Sequence, residues 1–342
     1  MAIRLKDIAK DLGVSTVTVS KVLRGKPDVG EHTRSRVIKR MNELKYRPNL
    51  LARGLASGRS YVAGLVVPDL IHPFFGEFAT ALSSALRQKG LALMVSSSRE
   101  DAETEEREIL ALIDRGVDVL LIASCQATHA AHSIFAQERT PIVLVDRNFS
   151  EISANFVGSD DVMVGKLATQ HLLGIGRRRI AHIGAQDVST SILRLQGYRA
   201  ALVEAGIASR RDHVIACERF EETADRAGYE AMRQLLRLKK RPDAVFCYSD
   251  LCAIGAMRAA IEAGVSIPED IAFVGCGNFR YARYLEVPLS SVDQGAERMG
   301  KLAASAALGL IDRPDARPRS VLIEPKLVVR ASSVVSGRRQ SR

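Results

Sequence analysis

The sequence lacks an apolar run long enough to cross a membrane, and it lacks a paired cysteine motif. The longest apolar runs, such as 119–123, fall far short of the roughly 20 residues that a membrane-spanning helix needs. The chain has five cysteines, an odd number, and no Cys-x-x-Cys pair. These features exclude membrane and disulfide-framework proteins, and we expect reduced, mostly buried thiols.

Motifs that hold nucleotides or carry out hydrolysis are also absent. No G-x-G-x-x-G follows a candidate strand, and neither a phosphate-binding loop, nor G-x-S-x-G, nor H-E-x-x-H occurs. His129 and His132 have the spacing of a metal-binding pair, but two histidines without a third ligand are more often residues of a surface helix. We therefore expect no cofactor, no metal and no enzymatic activity.

The first ten residues are not those of a secretory signal. Arg4, Lys6, Asp7 and Lys10 stand where a signal peptide needs an apolar stretch. We therefore expect a cytoplasmic protein.

The positive charge of the chain is concentrated near its start. The formal net charge is +10, and residues 1–60 alone hold 14 Lys and Arg against 5 Asp and Glu, a net charge of +9. The remaining residues are nearly neutral. This distribution is typical of a nucleic-acid-binding module attached to a body with a second function.

Hydrophobic periodicity predicts three short helices within residues 5–44. Leu5, Ile8, Ala9 and Leu12 share one face of the first helix. Gly13 permits a tight turn, Ser15 can cap a second helix that runs to about residue 23, and Thr33 begins a third.

The second of these helices has two chemically different faces. Val19 and Val22 point to one side, and the opposite side gathers Thr16, Val17, Ser20 and Lys21. Hydroxyl, methyl and ammonium groups suit the base edges of the major groove, as in a helix-turn-helix domain. The plainer interpretation is the exposed polar face that any small three-helix domain has.

The next segment, 46–60, reads YRPNLLARGLASGRS. Pro48 ends the third helix, and Asn49 can cap a short helix over 50–56 that is too short to be stable alone. It is either a linker helix that packs on the body or a segment that folds on DNA and pushes a leucine between base steps.

The runs LKDIAKDLGVSTVTVSKVLRG and TRSRVIKRMNELKYRPNLLARGLASGRS resemble the lac-repressor (LacI/GalR) family of bacterial transcription regulators. The resemblance implies a helix-turn-helix head over 1–46, a hinge helix over 47–60, a two-lobed effector domain over 61–335 and a disordered basic tail over 336–342. It also implies roles for nine residues of the first two segments. They are base contacts by Thr16, Val17, Ser20 and Lys21, a minor-groove wedge at Leu55 with Ala52 beside it, and phosphate contacts by Ser15, Thr33 and Asn49.

From residue 61 onward, short β-branched runs alternate with helical stretches. Repeats of this size predict an α/β fold with doubly wound parallel sheets, divided into two lobes near 158–161. The final stretch, 320–332, is predicted to be a strand that completes the second lobe. The other predicted strands are 62–67, 91–96, 119–123, 142–145, 180–184, 214–217, 244–247 and 272–275.

Ligands in such folds bind at the carboxyl ends of the strands. The family resemblance, which extends to periplasmic sugar-binding proteins, implies five effector-site residues there: Phe75, Asp146, Arg194, Phe220 and Asp250. Each also has an ordinary interpretation, such as core packing for Phe75, a surface ion pair for Arg194 and a helix cap for Asp250.

One position departs from the family pattern. The family usually has an Asp after the strand that ends in AFVG, and this chain has Cys276, Gly277 and Asn278. Either Asn278 or water substitutes for that carboxylate, or the effector is not one of the sugars and purines common in the family. A response to a partner protein is a further alternative.

These features together predict a repressor that binds a pseudo-palindromic operator as a homodimer, under the control of a small-molecule effector. Because the chain ends in VVSGRRQSR without a leucine heptad, we expect no tetramer formed by a helical tail. A solute-binding protein of periplasmic type would explain the body equally well, but not the head. An α/β enzyme with an accessory head is the third possibility, and the missing catalytic motifs disfavour it.

Overall fold

The computed structural model describes residues 3–23, 27–46, 58–126, 140–148, 154–217 and 224–334. The chain forms two compact units, Met1–Ser60 and Tyr61–Arg342, here called the head and the body. Several predicted features lie outside the described residues. They are Asn49, Ala52, Leu55, Phe220, the His129–His132 pair, the helix over 50–56 and the tail over 336–342.

The head consists of α1 (Leu5–Leu12), α2 (Thr16–Leu23) and α3 (Glu31–Glu43). The third helix begins two residues before the predicted Thr33, because Gly30 takes the N-cap position. All three helices contribute to one apolar core, whose buried members are Ile8, Ala9, Val19, Val22, Val29 and Val37.

The body alternates strands and helices. Its helices are α4 (Pro73–Arg87), α5 (Ala102–Asp114), α6 (Asp161–Gly174), α7 (Ser189–Glu204), α8 (Ala224–Leu236), α9 (Asp250–Glu262) and α10 (Ala296–Asp312). Its strands are β1 (Val62–Val67), β2 (Ala92–Ser97), β3 (Val119–Ile122), β4 (Ile142–Val145), β5 (Asn155–Ser159), β6 (Ile180–Ala185), β7 (Val214–Cys217), β8 (Ala244–Cys247), β9 (Ala272–Cys276), β10 (Ser290–Asp293), β11 (Ser320–Ile323) and β12 (Lys326–Val328).

These strands form two sheets, one in each lobe. The first sheet has the order β11-β5-β4-β3-β1-β2, and all of its pairs are parallel. The second has the order β12-β10-β9-β8-β6-β7 and is parallel except for the pair of β10 with β12. The predicted α/β fold with two doubly wound lobes is confirmed.

The chain crosses between the lobes three times. It leaves the first lobe after β5, returns after β10 to add α10 and β11, and leaves again before β12. The predicted strand over 320–332 is therefore wrong as a single strand, because its first part pairs with β5 and its second part with β10. Glu324 and Pro325 lie between the two parts, at the crossing.

Burial explains why most strands read as short apolar runs. In β3 and β8 every residue is buried, because helices cover both faces of each sheet. The edge strand β2 differs, since Met94 and Val95 are exposed.

Of the five free cysteines, four are buried and Cys217 is half-buried, in agreement with the prediction. None of the described helices combines the length and the apolarity that crossing a membrane requires.

Two helix pairs in the second lobe approach each other through glycines. A Cβ on Gly165 of α6 would overlap the backbone carbonyl of Arg194, and one on Gly197 of α7 would overlap that of Val162. Gly228 of α8 and Gly255 of α9 meet the facing backbone in the same way. The α6–α7 contact matters for the site below, because it holds Arg194 against the start of α6.

We predict that Gly197→Ala destabilises the body by roughly 1–3 kcal/mol, because the two helices must move apart to admit a methyl group. Gly309 of α10 is the matched control, since a Cβ there meets nothing within 4 Å. Gly309→Ala should be neutral or stabilising by up to about 1 kcal/mol. Urea unfolding of the full chain, followed by circular dichroism, measures both. Equal effects of the two substitutions would contradict the close-packing argument.

Candidate DNA-binding face and inter-lobe cavity

The turn between α1 and α2 has the geometry that its sequence predicts. Gly13 adopts a left-handed conformation with φ 65°, and the amide of Val14 donates to the carbonyl of Ala9 at 3.0 Å. The hydroxyl of Ser15 accepts from the amide of Thr18 at 3.0 Å and so caps α2, as predicted. The turn and the cap together fix the direction in which α2 leaves α1.

The two faces of α2 are separated as expected. Val19 and Val22 lie in the head core, whereas Thr16 is exposed and Val17 is 58% exposed. Ser20 and Lys21 are half-buried on the same outer side. A valine that exposes its methyl groups beside hydroxyl groups is a poor solvent-facing residue but a good partner for a thymine methyl group.

An ion pair holds Lys21. Its Nζ lies 2.5 Å from Oδ2 of Asp28, which belongs to the loop before α3, and the two side chains are 40% and 53% exposed. An exposed pair of this kind contributes little to stability, so Lys21 can exchange Asp28 for another acceptor at small cost. Thr33 lies half-buried in the first turn of α3.

In the body, a small cavity lies between the lobes at the carboxyl ends of the strands. Its volume is about 20 Å³, enough for roughly one water molecule. The first lobe contributes His72, Phe74, Phe75, Asp146 and Arg147. The second lobe contributes Thr190, Arg194, Tyr248, Ser249 and Cys276. Three of the predicted ligand residues, Phe75, Asp146 and Arg194, are therefore brought together.

Arg194 is buried in an ion pair. Its Nε donates to Oδ1 of Asp161 at 2.8 Å, and its Nη1 donates to the carbonyl of Tyr248. Burial is the largest influence on the pKa of Asp161 and raises it, and the guanidinium of Arg194 works against that shift. Arg194 thus has a structural partner, and the surface ion pair considered as its ordinary interpretation is in fact a buried one.

The first lobe has a corresponding pair beside Asp146. Both terminal nitrogens of Arg147 donate to Glu100, at 3.0 and 2.7 Å, and both side chains are about 5% exposed. Asp146, at the end of β4, has a left-handed φ of 61°. Each lobe therefore brings a neutralised guanidinium to the cavity.

Asp250 lies behind the cavity and not in its lining. Its Oδ2 accepts from the amide of Phe279 at 2.8 Å and its Oδ1 from the hydroxyl of Ser291 at 2.6 Å. Burial raises the pKa of Asp250 to about 6, although these two hydrogen bonds lower it. In the structure this carboxylate fixes the turn after β9.

Asn278, one proposed substitute for the family carboxylate, is also bonded elsewhere. Its Nδ2 donates to Asp293 at 3.0 Å, and its Oδ1 accepts from Arg330 at 2.5 Å. It does not line the cavity.

Tyr248, Cys276 and Gln294 line the cavity without having been predicted. Tyr248 and Cys276 end or follow strands β8 and β9, so the rule that ligands bind at strand ends could have indicated them. Gln294 follows β10, a serine-rich strand that the apolar pattern did not reveal.

His72, which packs among Phe74 and Phe75, stays neutral because burial lowers its pKa to about 4.

Two family models match the chain. "Bacterial regulatory proteins, lacI family" matches residues 4–49, and "Periplasmic binding protein-like domain" matches residues 169–333. The ribose operon repressor of Haemophilus influenzae is 34% identical over 329 residues, which are 96% of this chain and 98% of that protein. The transcriptional repressor PurR of Actinobacillus pleuropneumoniae serotype 3 is 31% identical and covers 96% of this chain and 97% of its own length.

Solved structures share the fold. A complex of the transcriptional regulator CelR with cellobiose has a TM-score of 0.74 and 31% identity and covers 96% of this chain and 99% of that one. The lac repressor dimer bound to operator has a TM-score of 0.86 and covers 98% of this chain and 100% of that one, at 24% identity. Because its identity is only 24%, the similarity to the lac repressor structure shows the shared fold alone.

We predict that Arg194→Met lowers the free energy of unfolding by roughly 3–5 kcal/mol, because it leaves the Asp161 carboxylate buried without its cation. Arg258 of α9 pairs with Glu262 on the exposed helix surface and provides the matched control. Arg258→Met should cost less than about 1 kcal/mol. Urea unfolding followed by circular dichroism compares the two. A loss below 1 kcal/mol in Arg194→Met would show that the buried pair is not needed.

Proposed function

We propose that this chain, which belongs to the lacI family of bacterial regulatory proteins, represses transcription. It would bind operator DNA as a homodimer, under the control of an effector. As a member of the family, the chain is a DNA-binding transcriptional regulator with an effector-binding domain. The proposal includes a specific operator, a homodimer, a small-molecule effector, a cytoplasmic location and the absence of enzymatic activity.

The outer face of α2 is the observation that carries DNA recognition. Thr16 and Val17 are exposed, with Lys21 beside them, opposite the buried Val19 and Val22. A helix placed in the major groove presents such a face to base edges. The charge of +9 over residues 1–60 supplies the attraction to phosphate but carries no sequence information.

A continuous face of the body supports the homodimer. A groove of about 1250 Å³ runs between α4, the turn around Arg280 and α10, and a second groove of about 450 Å³ continues it between α4 and β2. Two exposed apolar side chains line these grooves, Val95 of β2 and Tyr281. A self-complementary contact here would involve both lobes, so a change in their relative position would alter the dimer.

The residues around the cavity support a small polar effector, and the lobes would have to separate to admit it, because the closed cavity holds roughly one water molecule. Among the relatives, two are named as ribose operon and PurR repressors, and CelR is in complex with cellobiose. Asp146 and Arg194 offer an acceptor and a donor to a hydroxyl-rich molecule, and Phe75 offers an apolar face. A solute-binding protein of periplasmic type would explain this cavity, but not the head matched over residues 4–49.

The first experiment tests base recognition. Operator sequences selected by the full chain from a random DNA pool should be bound by Lys21→Ala roughly 10–100-fold more weakly, with relaxed preference at one base pair of each half-site. Lys39 of α3, which is exposed, is the control, and Lys39→Ala should leave the base preference unchanged. A uniform loss in both variants would make Lys21 a phosphate contact only.

The second experiment tests the dimer. Val95→Glu places a charge on the edge strand within the proposed interface and should convert the protein to a monomer with weakened operator binding. Val203 of α7 is 73% exposed and lies outside that face, so Val203→Glu should stay dimeric. Sedimentation velocity measures the mass, and fluorescence anisotropy with operator DNA measures the affinity. A Val95→Glu protein that stays dimeric would place the interface elsewhere.

A further inference from the structure

Phe279 belongs to the second lobe by its backbone and to the first lobe by its ring. It follows β9, and its amide is held by Asp250 of α9. Its side chain is only 2% exposed and is part of the apolar core of the first lobe, together with Phe74 and Phe75. The ring centroid lies 5.2 Å from that of His72, in an edge-to-face arrangement.

The turn that delivers this ring depends on a glycine. Gly277 has a φ of 126°, which side chains rarely allow, and Asn278 is left-handed with φ 51°. A Cβ at position 277 would overlap the ring of Phe279. A side chain at 277 and the observed position of the ring are therefore mutually exclusive.

Hydrogen bonds hold the turn in this conformation. Ser291 accepts from the amide of Asn278 at 2.8 Å, and the side chain of Asn278 joins Asp293 to Arg330. The ring is thus presented by a fixed turn of the second lobe, and the space it enters is formed by the first. His72, whose ring it contacts, lines the inter-lobe cavity of about 20 Å³, and Phe279 packs next to that lining without being part of it.

We propose that Phe279 is a latch between the two lobes, beside the inter-lobe site. Its ring, carried by the second lobe, is buried in the core of the first and holds the two lobes together through neutral aromatic contacts. Phe279 thereby controls the effector response, because an effector that separates the lobes has to withdraw the ring from that core. This inference deepens the proposed effector site and rests on the proposed function for that role, but its physical content concerns lobe closure alone.

Hydrogen exchange of the full chain, measured by mass spectrometry, tests the contact between the lobes. Phe279→Ala should speed the exchange of first-lobe amides near the cavity, in 69–75 and 146–148, roughly 100-fold, because the opening of the lobes loses the burial of a phenyl ring. Phe273, fully buried in β9, is the control. Phe273→Ala should speed exchange within the second lobe and leave those two segments unchanged.

Benzene serves as a probe of the vacated space. An apolar cavity left by a deleted ring can bind benzene, so benzene should restore slow exchange in Phe279→Ala and have no effect on the original protein. Unchanged exchange in 69–75 and 146–148 of Phe279→Ala, or no response to benzene, would overturn the proposal. Neither readout uses DNA, so a failure to bind an operator would count against the proposed function and not against this inference.

A fluorescent variant provides a second test if Phe279→Ala does not fold. The chain contains no tryptophan, so Phe279→Trp introduces a single reporter. Its emission should be blue-shifted and shielded from acrylamide, like that of Phe273→Trp. Tyr284, 75% exposed, supplies the opposite reference as Tyr284→Trp. Emission at position 279 that matches the exposed reference would overturn the placement of the ring between the lobes.

Discussion

The cost of burying charge at the strand ends shapes the body. Arg147 and Arg194 both reach the inter-lobe cavity, and each is neutralised by a carboxylate of its own lobe, Glu100 in the first and Asp161 in the second. Neither ion pair has to break when the lobes separate. The contact of Phe279 with His72 crosses between the lobes and is neutral, because burial keeps His72 uncharged. The lobes can therefore separate without leaving a buried charge unpaired.

Backbone packing determines where those charges stand. Gly165 and Gly197 let α6 and α7 touch, and this contact sets Arg194 beside Asp161 at the first crossing between the lobes. The chain crosses twice more, so α10 and β11 return to the first lobe and β12 completes the second. All three crossings connect the lobes, so a change in the cavity can alter the angle between the lobes. The proposed dimer face spans both lobes, so its shape would change with that angle.

Much of the fold was predictable from local pattern. Strands such as 142–145 and 244–247 were predicted with their exact bounds, because apolar runs of that length between helical stretches have few alternatives. Strands β5 and β10 were not predicted, since NFVGS and SSVD carry little apolar signal and are strands only because neighbours pair with them. In the candidate site, three of the predicted effector residues, Phe75, Asp146 and Arg194, line the cavity, and Asp250 instead supports the turn that carries Phe279.

The sequence by itself determined the positive charge of the first 60 residues, the periodicity of α1 and α2 and the alternation of strands and helices, because these depend on residues close together in the chain. Only the tertiary structure decided which lobe receives α10 and β11, which carboxylate pairs with Arg194 and what fills the space beside Gly277. These outcomes depend on segments far apart in sequence. Gly277 shows the difference: its lack of a side chain was visible at once, but the ring that makes this necessary was seen only in the packing.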